Sequence, residues 1–282
     1  MGFLAVSPTE TYLTFFSHLI EFAPVTIFSL FFLGMLRLAP IVVMAPFFGA
    51  KVPISVKMGL LVTLSLLILP YMFLTSKTLV GFNKDYTLLC MKEFLIGMIL
   101  SFFVSAPFYM AESAGIIIDF QRGSSALQVT DPSTQEQTSD IGVLYNYMLI
   151  VIFYTLGGPL YFFNALFDSY AVVPADGWLS SGFFVFDHPF WKQVWGLVAM
   201  IFSVGIQLAA PSILAILMTE MFLGIANRLA PQVQIVFLGM SLKSLIGLAV
   251  LCAAWFFILQ QLGKLSQLWL QNISKLIPYF AT

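Results

Sequence analysis

The chain has 282 residues, of which 60% are hydrophobic and only 9% charged, with a mean hydropathy of +0.97. A water-soluble domain carries about 25% charged residues, so this chain cannot clothe a water-facing surface, and the bilayer is its solvent. The 12 basic and 13 acidic residues nearly cancel to a net charge of −1, with no basic run, which excludes a nucleic-acid surface and a polybasic lipid patch.

In chain order, the first segment (MGFLAVSPTETYLTFFSHLIEF) has no Lys or Arg before the first long apolar run. It lacks the basic start of a cleaved signal peptide. Val6 occupies the position where a myristoylation signal has Ser or Thr, so neither processing event is expected. About six long apolar stretches follow, at roughly 25–48, 54–74, 88–118, 141–171, 190–220 and 233–262. A span needs roughly 20 apolar residues. All but the second stretch exceed that, which predicts tilts, kinks or interruptions. Several stretches carry their own breakers: Pro40 and Pro46, Pro107, Gly157-Gly158-Pro159, and Pro211. A proline inside a helix removes a backbone bond, and in lipid the freed groups must find partners in protein or in a wet cavity. Broken helices therefore predict buried helices.

Three connections separate these stretches. Residues 119–140 (DFQRGSSALQVTDPSTQEQTSD) are too polar for hydrocarbon. Residues 174–189 (PADGWLSSGFFVFDHP) mix turn formers with aromatics, as an interfacial loop does. Residues 227–232 (NRLAPQ) make a short break between two hydrophobic helices. There is no low-complexity segment and no internal repeat of the transporter kind. Lys and Arg distribute too evenly over the connections for the positive-inside rule to orient the chain. A chain that does not cross in simple alternation would have this property.

A few residues stand against this apolar background. Arg37 lies inside the first run, where a lipid-facing Arg costs about 2.5–3.5 kcal/mol, so it must face protein or water. It either pairs structurally with a carboxylate or with exposed carbonyls, or takes part in transport or gating. Glu93, Glu112 and Glu220 pose the same choice. Glu112 and Asp119 share a helix face and Arg122 follows one turn on, giving a polar stripe. That stripe is either a solvated helix end or the wall of an aqueous path. Cys90 and Cys252 read as buried structural thiols. No HExxH, GxSxG or phosphate-cradling glycine loop is present, and His18 and His188 are the only histidines. Neither an enzymatic role nor any cofactor or metal is expected.

Taken as a series, the polar and breaker residues resemble the FliR/SctT family of type III secretion export proteins. The first block is Arg37-Leu-Ala, Ala45-Pro46, Val52-Pro53, Val56-Lys57 and Gly59. The second is Ile96-Gly97, Ala114-Gly115, Gln121, Gly123 and Asp131-Pro132. The third is Asp168-Ser-Tyr followed by Pro174. The fourth, the most specific, is Asn227-Arg228-Leu-Ala-Pro231-Gln232 followed by Gly239. Two positions depart from flagellar members, the charged Lys243 and the more polar stretch 124–130, and both tilt toward the injectisome branch.

The resemblance implies an all-α integral membrane protein of about six long, kinked hydrophobic helices or hairpins, with residues 1–282 as one membrane domain. It implies bent hairpins lying partly above the bilayer plane, in the inner membrane within the secretion basal body. Its partners would be FliP/SctR-type and FliQ/SctS-type subunits, an FlhB/SctU-type switch protein, an FlhA/SctV-type export gate, transiting secreted proteins and membrane lipid, with no nucleic acid. The matching pore loop is residues 119–132, with Gln121, Arg122, Gly123, Ser124, Ser125, Gln128, Val129, Asp131 and Pro132 as its functional set. Arg37, Pro46, Pro53, Lys57, Glu112, Asp168, Asn227, Arg228, Pro231 and Gln232 would serve structure and assembly. The leading rival is a secondary transporter with its site near Arg37, Glu112 or Glu220, against which the missing repeat counts. A passive scaffold without a pore role is a milder rival.

Overall fold

A computed structural model describes residues 24–49, 52–76, 81–82, 85–123, 139–178, 183, 188–229 and 235–280. Helix α1 (Pro24–Met44) opens on a proline, which costs nothing where the N–H has no helical partner. It ends before Pro46, whose ring pushes Ala45 to extended backbone (φ −72°, ψ 120°). A single 3-10 turn (Pro46–Phe48) follows, and Gly49 reverses the chain at φ 95°. A Cβ at Gly49 would lie 2.5 Å from the Val52 side chain, so this turn demands glycine. Helix α2 (Ile54–Thr75) starts directly after Pro53. Its Lys57 reaches back to donate to the Val43 carbonyl at 3.2 Å, a cation at the C-terminal end of α1. Pro70 lies buried inside α2, a breaker that apolarity concealed.

Helix α3 (Tyr86–Gln121) runs for 36 residues, straight through Pro107. The fourth apolar stretch divides into α4 (Asp140–Thr155) and α5 (Gly158–Val172). The division falls at Gly157, which takes φ 72°, and a Cβ on Gly158 would collide with the Phe153 ring. Helices α6 (Pro189–Leu229) and α7 (Ile235–Leu276) have 41 and 42 residues, and α6 contains Pro211. At 1.5 Å per residue α3 is about 54 Å long and α6 and α7 about 60 Å. The hydrocarbon core is only about 30 Å thick, so all three outreach it. A final 3-10 turn covers Ile277–Phe280.

Five described helices are each long and apolar enough to cross a membrane, and a sixth span results if α4 and α5 count as one. The chain is thus an all-α, multi-pass membrane protein. In the apolar, membrane-length stretch of α3 67% of the residues are buried, and in that of α7 only 17%, so α3 carries more of the chain's internal packing than α7.

Packing divides the described residues into two units. The first comprises those up to Ser105 with 159–193 and the segment from Leu270 on; the second comprises those of 106–158 and 194–269. In the first, aromatic side chains tie α5 to the 3-10 turn through Phe47 on Phe162 (5.5 Å between centroids) and to α2 through Tyr71 on Phe167 (5.0 Å). In the second, Phe108 of α3 meets Phe153 of α4 at 5.5 Å. Both cysteines are free thiols, but Cys90 is only partly buried and Cys252 is exposed. The expectation of buried thiols is corrected here: in a membrane helix, apolar neighbours in sequence do not imply the protein interior.

Candidate functional site

Two buried polar clusters organise the helices, one in each unit. In the first unit Arg37 of α1 is wholly inaccessible, as is Glu93 of α3. The guanidinium grips the carboxylate with two bonds, Nε to Oε2 at 2.5 Å and Nη2 to Oε1 at 2.8 Å. Its remaining donors reach Ser169 Oγ at 3.1 Å and the Val173 carbonyl at 2.9 Å, and its plane lies 3.9 Å from the Tyr170 ring centroid. Lys92 stands 2.7 Å from Glu93 and directs its ammonium at the carbonyls of Pro174, Ala175 and Gly177, at 2.9, 3.0 and 2.9 Å.

This arrangement follows from how α5 ends. A helix leaves its last carbonyls without intrahelical partners, and in a water-poor interior each must be satisfied. The chain just beyond α5 turns its carbonyls inward, and two cations meet them with the sign that a helix C-terminus favours. Glu93 neutralises one of those cations and fixes both. Helix α3 comes close enough because of Gly97, one turn beyond Glu93. A Cβ there would strike the backbone carbonyl of Arg37 itself.

The second cluster uses the same device lower on α3. Asp119 is 1% exposed. Its Oδ2 accepts from Ser139 Oγ at 2.5 Å and from the Ile141 N–H at 3.0 Å, and its Oδ1 accepts from Arg122 Nε at 2.7 Å. Ser139 caps α4, its hydroxyl accepting from Gly142 N–H at 2.9 Å. The first turn of α4 thus has its free N–H groups met by its own cap and by a carboxylate from α3, which also suits the helix dipole. Gly115, one turn before Asp119, touches α4 so closely that a Cβ would overlap the backbone of Ile141 and Gly142. Glu112, one turn earlier again, accepts from Asn146 Nδ2 at 3.1 Å.

The structure distributes the expected residues unevenly. Glu112, Asp119 and Arg122 do share a face, but Asp119 is buried and multiply bonded, not part of a solvated helix end. Gln121 ends α3, and Gly123 stops it at φ 85°, its N–H donating to the Phe120 carbonyl at 3.1 Å. Ser124, Ser125, Gln128, Val129, Asp131 and Pro132 lie outside the described residues, as do Pro231 and Gln232. Asp168 is exposed, and its buried neighbour Ser169 makes the bond to Arg37. Pro46 and Pro53 start the 3-10 turn and α2. Asn227 and Arg228 are exposed at the end of α6, with Arg228 in its last turn. Lys243 of α7 pairs with Glu220 of α6 across a groove lined by Leu223, Gly224, Asn227, Gly239 and Met240. Sequence reasoning missed Lys92, Ser169 and Ser139; an adjacent Lys-Glu pair inside an apolar run was the available signal for the first.

Fold and clusters together define a multi-pass helical membrane protein whose intramembrane charges join its own helices. Residues 28–268 match the family described as Bacterial export proteins, family 1. The chain belongs to that family, the FliR/SctT family of type III export proteins, as the four sequence blocks implied. It is 29% identical over 198 residues to the secretion system apparatus protein SsaT of Salmonella typhimurium, covering 70% of this chain and 74% of that one. It is 32% identical over 192 residues to Yop proteins translocation protein T of Yersinia pestis, covering 68% and 72%. It is 28% identical over 203 residues to the flagellar biosynthetic protein FliR of Escherichia coli, covering 72% and 74%.

Proposed function

We propose that this chain is a subunit of the type III export gate, helping form the channel through which unfolded proteins cross the bacterial inner membrane. The reading is carried by the family match over residues 28–268. It is supported by α6 and α7, which outreach the bilayer while exposing large apolar side chains such as Phe202, Met218, Phe222 and Phe256 along their length. Apolar surface beyond the hydrocarbon layer needs protein to cover it. The partners proposed for that role are FliP/SctR-type and FliQ/SctS-type subunits, with FlhB/SctU-type and FlhA/SctV-type proteins in the same apparatus. The role is non-enzymatic and uses no cofactor. Lys243 and the polar stretch 124–130 favour an injectisome over a flagellum.

The transporter reading loses ground at its leading site. Arg37 is wholly inaccessible and its guanidinium is bonded to Glu93, Ser169 and the Val173 carbonyl beside the Tyr170 ring, which speaks against a substrate site there. Co-expression with FliP/SctR-type and FliQ/SctS-type subunits and native mass spectrometry tests the proposal. A discrete complex with one copy of this chain is expected; a monodisperse chain that ignores those subunits overturns it. Within the complex, Gln121 to Thr130 are proposed to narrow the closed channel. Deleting Gly123 to Ala126 is expected to raise ion conductance of the closed complex in a planar bilayer, and an unchanged conductance refutes that assignment.

A further inference from the structure

We propose that the groove between α6 and α7 at Glu220 and Lys243 binds a zwitterionic phospholipid head group, its phosphate on Lys243 and its primary ammonium on Glu220. The inference lies beyond the export-gate reading and does not depend on it. Unlike Arg37 and Glu93, these two charges are not shut away: the Lys243 side chain is 24% exposed and that of Glu220 37%. They line an open groove of about 300 Å³ whose wall includes Gly224, Asn227 and Gly239. That is the lower end of the volume range of small-ligand sites. Among the described residues their mutual bond is the only one either side chain makes. A carboxylate accepts at two oxygens and an ammonium donates three hydrogens, so both groups keep bonding capacity for a ligand in the groove.

The depth of the groove selects the ligand. Residues 244–263 of α7 carry no charge and run for roughly 30 Å, the thickness of the hydrocarbon core. Residues 193–219 of α6 are likewise free of charge. Glu220 and Lys243 therefore stand together at one boundary of the apolar layer, where lipid head groups lie. The turns on the hydrocarbon side of the pair expose Leu217 and Met218 on α6 and Leu245 and Leu248 on α7, apolar surface for acyl chains. An ion pair offers one charge of each sign, the complement of a head group that carries a phosphate and an ammonium. An anionic head group would bring a second negative charge to Glu220 and no cation to meet it. Gly224 keeps the groove open: nothing lies within 4 Å of a Cβ built there, so a larger side chain at that position enters the groove and leaves the packing alone.

The test uses the full chain purified in detergent, to which phosphatidylethanolamine or phosphatidylglycerol of matched acyl chains is added, with native mass spectrometry counting bound lipid. One phosphatidylethanolamine per chain is expected to bind about tenfold or more tightly than phosphatidylglycerol. Gly224→Leu fills the groove and Lys243→Gln removes the phosphate's partner; each is expected to weaken that binding about tenfold or more. Gly196→Leu, at an equally open helix position away from the groove, is expected to bind like wild type. Equal binding of the two lipids, undiminished phosphatidylethanolamine binding in Gly224→Leu or Lys243→Gln, or an equal loss in Gly196→Leu overturns the inference. Should Gly224→Leu fail to fold by circular dichroism, Lys243→Gln decides by the same criterion. The measurement is repeated on the complex with FliP/SctR-type and FliQ/SctS-type subunits. Retention of the lipid there supports the inference; its loss on assembly assigns the groove to a partner subunit and overturns it. A chain that ignores those subunits overturns the export-gate reading alone, and lipid binding by the chain itself then decides this one.

Discussion

Glu93→Ala is expected to destabilise the protein by about 3–5 kcal/mol, the cost of removing one member of a buried ion pair and leaving the other uncompensated. Here the residue removed is bonded directly to both Arg37 and Lys92. Two buried cations would then be left without the carboxylate they share. Arg37→Lys is expected to fare little better. An ammonium cannot span both carboxylate oxygens while also reaching Ser169 Oγ and the Val173 carbonyl, as the planar fork does. Unfolding in detergent, followed by circular dichroism, reads both effects. A midpoint unchanged from wild type in Glu93→Ala would show that the pair is dispensable.

Sequence and structure agree where the physics is one-dimensional. Apolar runs of span length became helices, and the Gly157-Gly158-Pro159 breaker became a real division because a left-handed backbone is needed there. The last two helices ran past the expected ends at 220 and 262, to Leu229 and Leu276. The apolar run fades there, but residues such as Glu220, Gln260, Lys264 and Gln267 are good helix formers where water or a partner is near. Arg37 was legible as a buried cation needing a carboxylate or carbonyls, and both kinds of partner are present. Which carboxylate it takes was not legible, because Glu93 lies 56 residues away and only the helix crossing decides. Gly97 and Gly115 belonged to the sequence blocks without a reason attached; the reason is backbone contact between helices, which no local pattern encodes. The residues of the polar segment, the core of the expected site, stay as proposals because Ser124 to Pro132 lie outside the described residues.

Gly115→Val is expected to be the most damaging single substitution in the second unit. A valine Cβ would occupy the space of the Ile141 and Gly142 backbone, and backbone cannot rotate aside as a side chain can. Overpacking of this kind costs about 1–3 kcal/mol before any polar loss. Moving α3 off α4 also draws Asp119 from the Ile141 N–H and the Ser139 hydroxyl, adding about 1–3 kcal/mol for a buried acceptor left unmet. Gly97→Val should act alike on Arg37 and Glu93 in the first unit. The control is built into the same chain. Gly196, Gly224 and Gly263 lie in helices with nothing within 4 Å of a new Cβ. Alanine at those positions is expected to leave stability unchanged or raise it by up to about 1 kcal/mol, the helix-propensity difference between the two residues. Thermal unfolding of the five variants in one detergent separates the cases. Comparable losses at Gly115 and Gly196 would mean that glycine matters here through flexibility alone, and the paired glycine-and-carboxylate contacts of α3 would lose their assigned role.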